Sequence, residues 1–238
     1  RMVPLPMRCC ALLVAAAVLF APAVSAKLLR HASQVDPGTM DPHAIATLYN
    51  NRVLSQVYEP LVERDEKFKP GPRLALSWTP LEAGRGWRFK LRPGVRFHDG
   101  TPFDADDVVF NVKRGLDPLS AMKSALPNVT GARKVDELTV DLLTSQPTPV
   151  LPLSLINLRL MSKAWCEANN AARPVDKRKG LENAASVRAN GTGPFVVASH
   201  EPGVRTIFRK NPNWWGKPEH NLDEVIFTTI KSDATRVA

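Results

Sequence analysis

The sequence predicts a mixed α/β fold built from many short elements, on three observations. Apolar and polar residues alternate with period two in Trp87 to Leu91 and again in Leu138 to Leu142, as half-buried strands do. Between such runs, Leu54, Val57, Tyr58 and Leu61, and later Val108, Val109 and Val112, follow helical spacing. Proline is abundant, 21 of 238 residues, above the usual ~5%, which implies frequent turns.

The elements follow in order. Lys27 to Gln34 reads as the first strand, and a helix begins near Leu48 with Leu54, Val57, Tyr58 and Leu61 on its buried stripe. Phe68 to Trp78 and Trp87 to Phe97 read as strands and hairpins, with Pro93-Gly94 as the reversal before Val95 and Phe97 resume the alternation. His98-Asp99-Gly100 makes a second turn, since Asp-Gly supplies a positive φ. Asp104 is placed to cap a helix running to about Arg114, with Asp107 at the matching capping-box position. Leu138 to Leu142 is another strand, and Pro149 opens a helix through Leu151 to Ile156. Trp165-Cys166-Glu167 lies on a helix, and Ala168 to Arg188 is a polar surface connection. A second strand-rich block comprises Pro194 to His200, the turn Glu201-Pro202-Gly203, Val204 to Lys210 and Leu222 to Ile230. A helix is expected to start at Ser232.

Residues 1–26 read as a cleavable signal peptide. Arg8 precedes an apolar run from Cys10 to Phe20, and Val24-Ser25-Ala26 offers small residues before a cut. The run is shorter than the ~20 apolar residues of a spanning helix and is followed by Pro22. Cys9 and Cys10 stand at its start and not after it, which argues against a lipoprotein and for a periplasmic product. After cleavage only Cys166 remains, so no intrachain disulfide forms, and a buried structural thiol is expected. The formal net charge of +9 drops to +7 with the loss of Arg1 and Arg8. The basic residues are scattered, with Lys177-Arg178-Lys179 the one run, so nucleic acid is not expected as a partner.

Catalytic pieces are poor. His98-Asp99 sits in a tight turn where neighbouring side chains diverge, and no G-x-S-x-G elbow supplies a serine. Asp104, Asp106 and Asp107 lack the spacing of a calcium loop. The five histidines are separated with no H-x₃-H pattern, so no metal and no cofactor is expected. Gly191-Thr192-Gly193 lacks the Lys-Ser/Thr of a phosphate loop. An enzyme is therefore not expected, and a binding module is.

Two groups are candidates for holding a solute. Gly191, Thr192 and Gly193 can bring backbone groups close to a ligand, or can serve as a strand-entry turn. Tyr49, Asn50 and Asn51 follow the first strand, where α/β sheets place ligands, although helix capping explains them as well. Trp214 and Trp215 are expected on the lobe surface rather than in a cleft wall.

Five fragments occur in one family's order. Gln34 to His43 resembles an opening strand and "…LDPH" loop, and Val57-Tyr58-Glu59-Pro60-Leu61-Val62 resembles the end of a first helix. Trp87 to Phe110, the Gly191-Thr192-Gly193-Pro194-Phe195 turn, and Asn211-Pro212-Asn213-Trp214-Trp215-Gly216 with the strand after it complete the series. Together they resemble the family 5 extracytoplasmic solute-binding proteins of ABC importers, the dipeptide, oligopeptide and nickel type. The resemblance implies a periplasmic-binding-protein-like (type II) α/β lobe, a mixed sheet with flanking helices and an inserted strand-rich subdomain. It implies a discontinuous first-lobe core of residues 27–62 and 178–238, an insertion over 63–177, and a truncated chain without its second lobe. It further implies a monomeric periplasmic receptor that captures peptides or similar small solutes and delivers them to ABC permease subunits. Two alternatives stand beside it: a secreted peptide- or glycan-acting hydrolase, and a non-transporting sensory or chaperone-like subunit.

Overall fold

A computed structural model describes residues 27–233 and 235. The expected signal peptide lies outside the described residues, and the helix expected from Ser232 lies only partly within them. Along the chain come β1 (Leu28–Ser33), α1 (Leu48–Leu54), β2 (Val62–Arg64), β3 (Pro70–Pro72), β4 (Ala75–Pro80) and β5 (Gly86–Leu91). Then follow α2 (Ala105–Leu116), β6 (Val129–Asp136), β7 (Thr139–Thr144), α3 (Leu151–Ser154), α4 (Lys163–Ala168) and α5 (Ala184–Val187). The strands β8 (Phe195–Glu201), β9 (Arg205–Lys210) and β10 (Glu224–Thr229) come last.

Two four-stranded sheets and a small β2–β3 hairpin result among the described residues. The main sheet has the order β1-β10-β9-β8. In it β1 runs parallel to β10, from Leu28 opposite Glu224 to Ser33 opposite Thr229, and the other pairs are antiparallel. A parallel pair needs a long crossover, and here the crossover contains everything between Ser33 and Glu224. The second sheet, β4-β5-β7-β6, is antiparallel throughout and lies inside that crossover. The architecture is therefore the expected mixed α/β lobe.

Helix α2 forms as its sequence dictates. Asp104 Oδ1 accepts from Asp106 N at 2.8 Å, and Asp107 Oδ2 accepts from Asp104 N at 3.1 Å, closing the capping box. Val108 and Val112 are fully buried against the second sheet. Three expectations are corrected. The helix at Leu48 stops at Leu54, with Ser55 as its C-cap, rather than reaching Leu61; Pro60 lacks an N–H and disfavours a helical Glu59, which bars the helix from running on to Leu61. Pro93-Gly94 does not close a hairpin: β5 pairs with β4 and β7, while Val95 to Phe97 folds back on Thr101 to Phe103. Phe68 is not in a strand but at the tip of the β2–β3 turn, at φ 60° and exposed.

Two hydrophobic cores divide the lobe. One gathers Phe89, Leu91, Val108, Val112, Val140 and Leu142 with other side chains from Leu61 to Leu160. The other joins Met40, Leu54, Tyr58, Phe195, Phe208 and Phe227, and it also takes in Met161, Cys166 and Ala171. The change of core falls between Leu160 and Met161: Met161, Cys166 and Ala171 share the second core, while the same segment is hydrogen-bonded to α2 through Asp107, Asn111 and Arg114 and so bridges the two.

Candidate functional site

The parallel strands β1 and β10 end side by side, the position at which open α/β sheets bind ligands. Ile230 N donates to Ser33 O at 2.8 Å, and Thr229 Oγ1 donates to Asp36 Oδ1 at 3.2 Å. Asp36 Oδ2 also accepts from Gly38 N at 2.9 Å, where Gly38 adopts φ 72°. Val35 stands exposed at this edge.

Beyond Gly38 the loop dives inward. Thr39, Met40, Asp41 and His43 are all buried. Asp41 meets Arg114 of α2 in a two-pronged ion pair, 2.8 Å to Nη1 and 2.6 Å to Nη2, with both side chains fully enclosed. Burial alone would raise the Asp41 pKa, but the Arg114 charge holds it below the ordinary carboxylate value. Burial, with Arg114 nearby, draws His43 down to about 4, so its ring is neutral at pH 7. The ring shares a 2.9 Å hydrogen bond with Arg159 O through Nε2. The Asp-Pro-His segment thus fastens the β1–α1 loop to both cores.

The residues expected to hold a solute separate into two places. Thr47 caps α1 by accepting from Asn50 N at 3.3 Å, and Asn50 Nδ2 donates to Thr39 O at 3.1 Å from a buried position. Asn50 therefore fastens the loop. Tyr49 is exposed and Asn51 half-buried on the same turn. Gly191, Thr192 and Gly193 lie buried at the other end of this segment, against Gln56 and Val57. A Cβ on Gly191 would come within 2.1 Å of Val57 O, and one on Gly193 within 2.6 Å of Gln56 O. Gly193 N donates to Val57 O, and Gly193 O accepts from Asn211 Nδ2. Gly191 exchanges hydrogen bonds with His98, its N–H with Nδ1 at 3.3 Å and its carbonyl with His98 N at 2.8 Å. These glycines are small so that protein carbonyls can approach, and their polar groups are already engaged by protein.

Thr192 leads to a constellation that sequence reasoning missed. Its hydroxyl donates to Glu59 Oε2 at 2.7 Å, and Glu59 is 1% exposed. The same carboxylate accepts from Trp214 Nε1 at 3.2 Å, Trp215 Nε1 at 2.9 Å and Arg73 Nη2 at 2.7 Å. Arg73 also lies over both indoles, and Arg92 sits 4.1 Å from the Trp215 ring centre. Both indoles are half-buried, and they help line a depression of about 500 Å³ with Glu63, Arg73, Lys217 and His220. A second hollow of about 290 Å³, walled by Leu29, Val53, Phe195, Phe208 and Phe227, lies on the main sheet.

Reactive groups stay apart. His98 Nε2 bonds Gly193 O at 3.1 Å, while Asp99 Oδ2 accepts from Asn190 Nδ2 at 2.7 Å, so the two side chains have separate partners. Burial pushes the Cys166 thiol up to about 12, far from a thiolate at pH 7. Among the described residues no three His, Cys, Asp or Glu side chains gather as metal ligands would.

Comparison with known proteins gives a consistent neighbourhood. A family profile described as bacterial extracellular solute-binding proteins, family 5 middle region, matches residues 69–238. The nickel-binding periplasmic protein of Escherichia coli (strain K12) is 30% identical over 85% of this chain and 37% of its own length. Di/tripeptide-binding protein 1 of Pseudomonas aeruginosa (strain UCBPP-PA14) is 28% identical over 94% of this chain and 44% of its own. Among solved structures, the PBP AgaA from A.tumefacien R10 in complex with agropinic acid superposes with a TM-score of 0.76 at 25% identity, covering 88% of this chain and 41% of that one. The chain spans less than half the length of each of these relatives.

Proposed function

We propose that this chain, which belongs to the family 5 bacterial extracellular solute-binding proteins, captures di- or oligopeptides or similar small solutes for an ABC importer and passes them to its membrane permease. The family match over residues 69–238 carries this reading. Relatives named for di/tripeptides and for nickel support a small solute. In this reading residues 1–26 direct export to the periplasm, and the mature protein acts there as a monomer without turning its solute over.

The mechanism rests on one lobe offering a rigid face and a second body closing over it. On this chain the face is the carboxyl edge of β1 and β10, where Ser33, Val35 and Asp36 meet Thr229. Exposed Tyr49 is near in sequence and supplies an amphipathic ring. Asp41–Arg114 and the Glu59 cluster keep the two cores in register while the solute arrives.

A thermal-shift screen of the purified chain against di- to pentapeptides, nickel chelates and opines tests the reading. A true ligand at a hundred times its Kd stabilises by about 2.7 kcal/mol. A flat response across all three classes, or measurable turnover of a peptide, removes it.

A further inference from the structure

From Val150 to Met161 the only charged residue is Arg159. Leu158 has extended backbone, φ −88° and ψ 93°, and Leu158 and Leu160 are buried in the core of the insertion. Successive side chains of an extended chain leave on opposite sides, so the Arg159 side chain leaves away from that core. Its backbone is pinned on both sides: the carbonyl by the His43 ring, and Leu160 N by Glu59 O at 3.0 Å.

The guanidinium is placed but not paired. Nε and Nη1 are buried with no hydrogen-bond partner, and Nδ1 of the adjoining His43 is in the same condition. Arg73, Arg88 and Arg114 each meet a carboxylate within 2.7 Å, whereas Arg159 meets none among the described residues. Burial lowers its pKa to about 10, so it remains cationic at neutral pH. The residue is half-buried rather than sealed, and Nη2 is not among the enclosed unpartnered atoms. An enclosed cation without a counter-charge is unfavourable unless something supplies one. Of the three nitrogens only Nη2 is not enclosed, so it is the donor left for one oxygen of a carboxylate that arrives from outside.

We infer that Arg159 is an anion-recognition residue that takes a carboxylate of the bound solute. This rests on the solute-binding reading above and narrows it to solutes carrying a free carboxylate, such as a peptide C-terminus.

The test uses this chain, with sodium acetate as the probe. Arginine Nε–Hε NMR spectra are recorded during titration with acetate, with sodium chloride at equal ionic strength and with neutral acetamide. One resonance, identified by its loss in Arg159→Lys, should move saturably with acetate and not with the other two. Identical movement with chloride, or none, overturns the assignment. In a second arm, Ala-Ala and its C-terminal amide are titrated into the parent and Arg159→Met. Binding of Ala-Ala should weaken at least tenfold in the variant and on amidation. If peptides give no response while acetate still saturates the Arg159 resonance, peptide capture fails and the anion site stands. If Ala-Ala binds Arg159→Met as tightly as the parent, the anion site fails and peptide capture stands. Should Arg159→Met not fold, the acetate titration of the parent decides.

Discussion

Strands β7 and β1 are both six residues long, yet five residues of β7 are buried and none of β1 is. The first lies between β5 and β6, and the second lies at an edge with β10 as its one strand neighbour among the described residues. Composition does not explain the contrast. β7 buries Asp141, held by Arg88 at 2.7 Å and Arg133 at 2.8 Å, while β1 exposes Leu28 and Leu29. Place in the sheet is only part of the cause, since β10, an inner strand, buries only Phe227 of its six residues; the main sheet is the more open of the two. The insertion is held by its own enclosed core. The main sheet depends more on cross-links such as Asp41–Arg114, the Glu59 cluster and the Gly191–Gly193 turn.

The largest test of this contrast is Arg114→Met, which leaves the Asp41 carboxylate enclosed and unpaired. Removing one partner of a buried pair costs about 3–5 kcal/mol, readable by urea unfolding. Native-state hydrogen exchange should accelerate first in the β1–α1 loop and main sheet, while β5 and β7 stay protected. Uniform acceleration would contradict the asymmetry.

Leu142→Ala against Leu29→Ala is the next comparison. Leu142 is fully buried, so its truncation should cost about 2–5 kcal/mol. Leu29 is 45% exposed, and its truncation should stay within about 0.5 kcal/mol. Equal losses in thermal melts would mean that β1 is covered in solution.

pH separates the two halves further. His43 has its pKa lowered from 6.5 to about 4, so between those values the unfolded chain binds a proton that the native state refuses. Its contribution is complete above about pH 6.5 and is lost as pH falls towards 4. Asp107 works in the opposite sense: burial raises its carboxyl to about 6, so its effect is to lower stability as pH rises from about 4 to 6. The difference in urea stability between parent and His43→Gln should grow by about 3 kcal/mol from pH 4 to 7. A constant difference would show that His43 titrates normally.

The smallest expected effect is at the docked turn. Gly193→Ala forces a Cβ against Gln56 O, and such overpacking costs about 1–3 kcal/mol. Gly203→Ala in the exposed β8–β9 turn meets no atom and carries only the strain of its φ of 75°. A melt in which Gly203→Ala is the worse variant would count against the docking role.

What was legible in the sequence was local. The α2 cap needs only Asp104 and Asp107, three residues apart, and it formed as expected. Pro60 was also a local signal, and it bars α1 from reaching Leu61 against the pull of the Leu54–Leu61 periodicity. Alternation alone could not say which strand lies beside β5, because β4 and β7 are chosen by packing at a distance. The same limit hid the Glu59 cluster, whose partners sit at 73, 192, 214 and 215. The glycines of the Gly191–Gly193 turn were visible, but their partners, the carbonyls of Gln56 and Val57, were not. Arg159 had a usable mark, a lone charge in an apolar run, but not the information that it lacks a partner.

The pairing of β1 with β10 also sets an order of assembly. Leu28 precedes its partner Glu224 by 196 residues, so β1 waits for β10 wherever the chain folds. The insertion, whose strands are all neighbours within the crossover, can collapse during that wait. The first strand to emerge among the described ones is thus among the last to dock, and until β10 arrives its two leucines are an open edge for chaperones or for stray strands.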